Sequence, residues 1–324
     1  MESFSNKLSV FFKGMAMGAA DVIPGVSGGT IAFITGIYQE LVDSIGRLDQ
    51  ESLKVLFKKG PLPFYRHING PFLLSLGLGI ILSIVALAKF ISTLLAEQPV
   101  LVWSFFFGLI IASAVYIGKD IKWTRPAELI TFIVGACIAY VITTLTPSGG
   151  EVGLLYVFMS GAIAISAMIL PGISGSFILL LLGSYATVLG AIGDLFDDLV
   201  AHGKIIVVFA AGALIGLIGF SKILRYLFKS HYRITIAMLT GFMLGSLAKV
   251  WPWKETLSTR INSKGEEVPL LQDNIWPTTY AEIGIGEPLL LPAIGMFLLG
   301  LAIVYLLSRM DHITSPEDGP DPAV

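Results

Sequence analysis

Two stretches of this chain, Val100–Gly118 and Leu289–Leu307, contain no charged residue at all. Apolar runs of about 17–25 residues are long enough to cross a hydrocarbon core about 30 Å thick. Composition agrees. Residues of the AVILMFWYC set make up 55% of the 324, charged residues only 14%, and the mean hydropathy is +0.81. Soluble domains carry about 25% charged residues. The chain therefore reads as a polytopic, all-α membrane protein with the bilayer as its principal partner. The net charge of −2 includes no basic tract suited to nucleic acid. The single cysteine, Cys137, lies inside an apolar run, which excludes a disulfide framework and predicts a buried, inert thiol. No cleavage site follows the short stretch broken by Lys13, so the first membrane segment is expected to be retained.

A second feature organises the rest. Gly14–Tyr38 reads GMAMGAADVIPGVSGGTIAFITGIY and Gly161–Tyr185 reads GAIAISAMILPGISGSFILLLLGSY. They align without gaps at one offset (161 − 14 = 147), matching Pro24, Gly25, Ser27, Gly28, Gly36 and Tyr38 with Pro171, Gly172, Ser174, Gly175, Gly183 and Tyr185. Further on, Lys89, Gly108 and Ser113 match Lys222, Gly241 and Ser246 (222 − 89 = 133), and Gly135 and Tyr140 match Gly300 and Tyr305 (300 − 135 = 165). Offsets that change only where loops differ in length are how a duplicated unit drifts. The first repeat is placed at 1–150, with a hairpin over 8–45 and spans over 71–96, 99–118 and 126–147. The second is placed at 151–310, with a hairpin over 154–192 and spans over 204–228, 232–250 and 288–308. A disordered tail is expected over 311–324, its proline- and acid-rich part beginning at Ser315.

The arms of the first hairpin, Leu8–Ile23 and Val26–Tyr38, are short and include Lys13 and Asp21. At a rise of 1.5 Å per residue they reach roughly 20–24 Å. A re-entrant helix–break–helix fits them better than a crossing, provided protein or a water-filled cavity surrounds the break. The second hairpin is long enough to span, so ten crossings stay open beside six. Arg47, Lys54, Lys58, Lys59 and Arg66 in the 46–70 loop, with Lys119, Lys122 and Arg125, mark those loops as cytoplasmic. Glu97, Glu151, Asp194, Asp197 and Asp198 occupy the alternate loops. Both termini are thus expected in the cytoplasm. Three spans per half is an odd number, so the repeats should be inverted.

Inverted repeats whose broken helices meet near the midplane are a recurring plan for transporters. After each Pro-Gly break, a helix restarts with unpaired N–H groups and the positive end of a helix dipole, which attracts a phosphate. Gly25, Val26, Ser27, Gly28, Gly29 and Thr30, with Gly172, Ile173, Ser174, Gly175 and Ser176, are therefore the candidate phosphate-binding residues. Packing between membrane helices is the plainer use of such glycines, but two copies at matching places favour binding or gating. Lys89 and Lys222 fall near opposite membrane surfaces, either snorkelling or capturing phosphate on each side, with Arg225 one turn beyond Lys222. Asp21, matched by Met168, is a candidate for a coupling ion, or for a pair with Lys13. Glu128 is expected at the interface, and Trp251, Trp253 and Trp276 in an aromatic belt. His67, His202, His231 and His312 lack metal-ligand spacing, and no GxSxG, HExxH or P-loop pattern occurs. Neither an enzyme, nor a metal, nor a cofactor is expected.

The run KGMAMGAADVIPGVSGGT from Lys13 to Thr30, with LPGISGS from Leu170 to Ser176, resembles the bacterial PopT-type undecaprenyl-phosphate translocases. That resemblance, which extends over nearly the whole chain, implies movement of the C55 lipid carrier from the outer to the cytoplasmic leaflet of the cytoplasmic membrane, where envelope polymer (peptidoglycan) synthesis reuses it. The substrate partner it implies is a polyprenyl phosphate, and a homo-oligomer is compatible with it. A secondary transporter of a small anion or ion is the alternative. A lipid phosphatase would need clustered nucleophilic or acid–base groups that the sequence does not show. The orientation is testable. Cysteines at Gly60 and Lys122 should react only from the cytoplasm and those at Glu151 and Asp197 only from outside. Outside labelling at Gly60 would refute the arrangement.

Overall fold

The computed structural model of the chain describes residues 4–22, 26–145, 153–193, 195–261 and 267–314. Pro24, Gly25, Glu151 and the tail from Ser315 lie outside them. The first half opens with α1 (Phe4–Asp21), α2 (Gly28–Ile34) and α3 (Tyr38–Gly46). Two short helices follow, α4 (Gln50–Lys59) and α5 (Pro61–His67), then three long ones, α6 (Gly70–Glu97), α7 (Pro99–Gly118) and α8 (Pro126–Thr144). The second half runs α9 (Leu154–Ile169), α10 (Gly175–Leu181), α11 (Tyr185–Gly193), α12 (Leu199–Ser230) and α13 (Tyr232–Gly245), the last prolonged by a 3-10 turn, Ser246–Val250. A β-hairpin of β1 (Lys254–Ile261) and β2 (Glu267–Asn274), then α14 (Pro277–Glu282), leads to α15 (Leu290–Thr314). Proline stands in the first turn of α6, α7 and α8, where its missing N–H is no loss. Asp198 caps α12 through the N–H groups of Val200 and Ala201.

Among the described residues five helices are long and apolar enough to cross a membrane: α6, α7, α8, α12, and α13 with its 3-10 turn. α15 adds a shorter apolar stretch, Leu290–Leu306. Their outward faces carry large apolar side chains such as Leu78, Ile81, Val85, Leu214, Ile215 and Leu298, as a lipid-facing surface requires. Cys137 is on such an outward face of α8, so the expectation of a buried thiol is corrected. The cysteine's neighbours at α-helical spacing, Ile133, Val134, Tyr140 and Val141, are exposed with it, while Gly135 and Ala139 on the opposite side are buried. Glu128, expected at the interface, stands in the first turn of α8 and is covered there by protein. It is 2% exposed, accepts the Lys122 N–H at 2.6 Å and lies 3.8 Å from Arg125, closing the 119–125 turn over the start of α8.

Each hairpin has three helices instead of two arms. α2 and α10 both end in a glycine in the left-handed region, Gly36 at φ 71° and Gly183 at φ 69°. Ile37 N–H donates to the Ala32 carbonyl and Gly36 N–H to Phe33. Ser184 and Gly183 donate likewise to Leu179 and Leu180. This is a Schellman stop, which only glycine enters without strain. It turns the chain by 110° between α10 and α11. The long second arm expected over Ile173–Ile192 is therefore not one straight span.

The duplication seen in sequence recurs in the contacts. The closest helix pairs are α1–α6 with α9–α12, and α7–α15 with α8–α13. Within them, glycines let backbones touch. A Cβ on Gly14 would overlap the Leu76 carbonyl and one on Gly161 the Phe209 carbonyl; Gly79 meets Phe11, and Gly212 meets Phe158. Gly108 meets Phe297 and Gly241 meets Phe132, while Gly135 meets Met238 and Gly300 meets Phe105. Every one of these four pairs maps onto its fellow by the sequence offsets. Because α7–α15 and α8–α13 join opposite halves, the halves share one core, which draws on residues from Val10 to Val304. Small residues at interfaces are how membrane helices gain packing energy without a hydrophobic drive. Gly108→Ala should therefore lower the unfolding temperature of the purified protein, since overpacking costs about 1–3 kcal/mol. Gly77→Ala, where nothing lies within 4 Å of the new methyl, should be neutral or raise it. Equal effects would refute the close-approach reading.

Candidate functional site

The two hairpins meet at their breaks. Ser27, 1% exposed, donates from Oγ to the Met168 carbonyl at 2.9 Å, with the Leu170 carbonyl at 3.3 Å, and accepts the Gly29 N–H at 3.1 Å. In return, the Gly172 N–H of the second break donates to Thr30 Oγ1 at 2.9 Å. Gly172 is left-handed, at φ 87°, and a side chain there would strike Ser246 Oγ and the Phe242 carbonyl of the α13 segment. Side chains of the first break thus satisfy backbone groups that the second exposes, while the first break's own N–H groups at Gly28 and Gly29 go to Asp21 and Ser27. In an apolar surrounding each such group left alone would cost several kcal/mol, roughly.

The glycines at the tips admit protein. Space beside Gly28 is filled by the Asp21 carboxylate, and space beside Gly29 by the Ile169 carbonyl. Beside Gly175 lie the Ala164 carbonyl and the Met168 side chain. Asp21 Oδ1 accepts the Gly28 N–H at 2.6 Å, so an internal carboxylate sits at the positive end of α2, where a phosphate would sit. Lys13 does not pair with it. Its ammonium donates to the Thr35 carbonyl at 2.6 Å instead, tying α1 to the end of α2. The second tip has no matching anion. Ser174 Oγ meets only Ser176 Oγ, at 2.9 Å, and Ser174 makes no cap. Ile173 and Val26 are buried at the crossing.

The basic residues stand apart from the crossing. Lys89 and Lys222 are exposed on α6 and α12. Lys222 lies within electrostatic reach of Asp49, whose carboxyl is held below its usual range first by the Ser52 N–H and in smaller part by Lys222. Arg225 faces Asp43 of α3, Nε to Oδ1 at 3.3 Å, and reaches the Gly46 carbonyl at 3.5 Å. It therefore joins the halves. Among the described residues no group of His, Cys, Asp or Glu is arranged to hold a metal. Met168 and Leu170 escaped sequence reasoning because they contribute carbonyls, which no side-chain pattern announces.

The crossing predicts unequal serines. Ser27→Ala removes three contacts and Thr30→Val one, each worth about 0.5–1.5 kcal/mol, with more lost where a buried partner is orphaned. Thermal unfolding in detergent should show a clear loss for Ser27→Ala, a smaller one for Thr30→Val and almost none for Ser174→Ala. Equal losses at Ser27 and Ser174 would refute the asymmetry.

Comparison with known proteins follows the same motifs. The family model described as undecaprenyl phosphate translocase-like matches residues 17–268. A polyprenyl-phosphate transporter of Vibrio cholerae is 50% identical over 304 residues, covering 94% of this chain and 97% of its own. One of Staphylococcus aureus is 34% identical over 252 residues, 74% of this chain and 84% of its own. No solved structure matches. With crossed hairpin breaks at its centre and the family match over most of its length, the chain belongs to the undecaprenyl phosphate translocase-like family.

Proposed function

We propose that this chain carries a polyprenyl phosphate, the undecaprenyl phosphate of bacterial envelope synthesis, from the outer to the cytoplasmic leaflet of the cytoplasmic membrane. It acts as a transporter, with inverted halves and both termini cytoplasmic. Moving a phosphate through hydrocarbon unaided costs on the order of tens of kcal/mol, so the head group needs a polar path while the tail stays in lipid. The observation that carries the reading is the crossing of the two breaks. It is a concentration of backbone and hydroxyl groups, held by Ser27 and Thr30, inside an apolar bundle.

The phosphate would bind at Gly25–Thr30 and Gly172–Ser176, with Lys89 and Lys222 drawing it toward the crossing from the two membrane surfaces. In the first tip it must take over the N–H groups that Asp21 and Ser27 now occupy. Asp21 that has taken up a proton no longer competes as an anion, which links substrate entry to proton movement. The contacts at the crossing are side chain to backbone, so they can be exchanged without unfolding either helix.

Proteoliposomes provide the test. The protein should move undecaprenyl phosphate and not inorganic phosphate. Asp21→Asn should lose accumulation driven by a pH gradient while keeping exchange. Full gradient-driven accumulation in that variant would remove Asp21 from the mechanism. No lipid movement by the unaltered protein would overturn the function.

A further inference from the structure

Beyond the crossing, a cavity of about 390 Å³ lies beneath the β-hairpin, at the end of the bundle opposite Asp49 and Lys222. Its walls include Tyr140 and Thr144 of α8, Phe177 of α10, and two lysines, Lys249 and Lys254. The Lys249 ammonium stands 4.1 Å over the Phe177 ring and the Lys254 ammonium 3.9 Å over the Trp103 ring. Lys254 is 9% exposed and donates to the Lys249 carbonyl at 2.7 Å. Among the described residues neither lysine forms an ion pair, and no acceptor meets the Lys249 ammonium. Glu255 and Asp273 also line the cavity, but at a paired position one residue along from the Lys254–Asn274 pair. Side chains alternate across a strand, so Glu255 and Asp273 leave the hairpin on the face opposite Lys254; among the described residues neither pairs with a lysine of the cavity, Asp273 being exposed and Glu255 half-buried.

Two cations gathered in one partly enclosed space repel each other, and burial disfavours both. Burial, and then the neighbouring Lys249, holds Lys254 well below the usual lysine value. An aromatic face eases this only in part. A doubly charged anion between the ammoniums removes the repulsion. The shape of the site says which kind. Tyr140, Val141 and Leu145, at the cavity's edge and beside it, are exposed on the outward face of α8, continuous with Ile133, Val134 and Ile138. An anion seated on the lysines can thus keep an apolar tail along α8.

We propose that Lys249 and Lys254 form a receiving site for the phosphate monoester head group of a lipid, at the β-hairpin end of the bundle and ahead of the crossing. The assignment rests on the function proposed above and adds its point of entry. Phe177 is the third residue of α10, in the same turn as Gly175 and Ser176, so the site adjoins the second break directly. Both lysines stand outside the repeat pattern: they flank the Trp-Pro-Trp segment and have no counterpart in the other half.

Tryptophan fluorescence of the purified full-length chain reads the site, since Trp103 lies under Lys254. Undecaprenyl phosphate should change the emission, and the apparent affinity should fall by about tenfold or more in Lys249→Gln and in Lys249→Gln/Lys254→Gln. Lys254→Arg, which keeps the cation, should stay near the parent value and shows whether the fold tolerates change there. In proteoliposomes, Lys249→Gln should raise the KM for lipid presented at the β-hairpin face while leaving the maximal rate. Unchanged affinity and KM in a folded Lys249→Gln protein would overturn the site while leaving the transport function standing. Lipid binding lost with the lysines, in a protein that transports nothing, would instead overturn the function and keep the site. Equal response to inorganic phosphate would overturn the lipid assignment in favour of a free-phosphate site.

Discussion

Everything in this molecule depends on one set of hydrogen bonds between two interrupted helices. A helix broken inside a membrane exposes carbonyls at the end of one arm and N–H groups at the start of the next, and lipid can satisfy neither. Here the carbonyls of Met168 and Leu170, at the second break, receive the hydroxyl of Ser27 from the first. The N–H of Gly172 goes to the hydroxyl of Thr30. The second hairpin is not complete without the first, whose own N–H groups are met by Asp21 and Ser27. That is why the two halves, although each began as a separate copy, share a single core.

The helices around the crossing are arranged to bring it about. Carbonyl-to-glycine approaches lock α1 to α6 and α9 to α12 within their own halves. The same device, applied across the halves, locks α7 to α15 and α8 to α13. Two rigid pairs therefore carry the hairpins and two more clasp the halves together. Arg225 against Asp43 adds a polar tie between α12 and α3. Motion that re-sorts the tips is confined to what these clasps allow. Exchanging side chain–backbone bonds at the crossing is the cheapest such change, because no helical hydrogen bond has to break.

Much of this was legible before any coordinates. The repeat, the proline starts of α7 and α8, and the breaks all follow from residue type and spacing, since proline and glycine act locally on the backbone. What stayed hidden depends on a third dimension. Whether Cys137 faces lipid or core is a rotation of α8 that a uniformly apolar helix does not encode. Glu128 is buried because a turn folds over it. Gly36 and Gly183 were visible as a matched pair, but that they stop helices with a sharp turn requires the 6→1 bond to be seen. The β-hairpin lies in a segment whose strands pair only with each other, so no membrane pattern marks it.

The departures from the duplication say most about direction. At the first tip a carboxylate, Asp21, holds the helix start; at the matching place stands Met168, and the second tip is uncapped. Under the β-hairpin, two lysines crowd one cavity, whereas the position matching Lys249 is Tyr116 (249 − 133 = 116). Two equivalent halves would make a carrier with no preference between its two orientations. Two lysines beside the uncapped tip and a carboxylate held over the other tip break that equivalence. On the entry proposed at Lys249, a negatively charged head group would meet the open second break first, and the first break only once Asp21 gives way. For a carrier of the kind proposed, the duplicated frame would supply two exchangeable states. The unmatched charges give them an order.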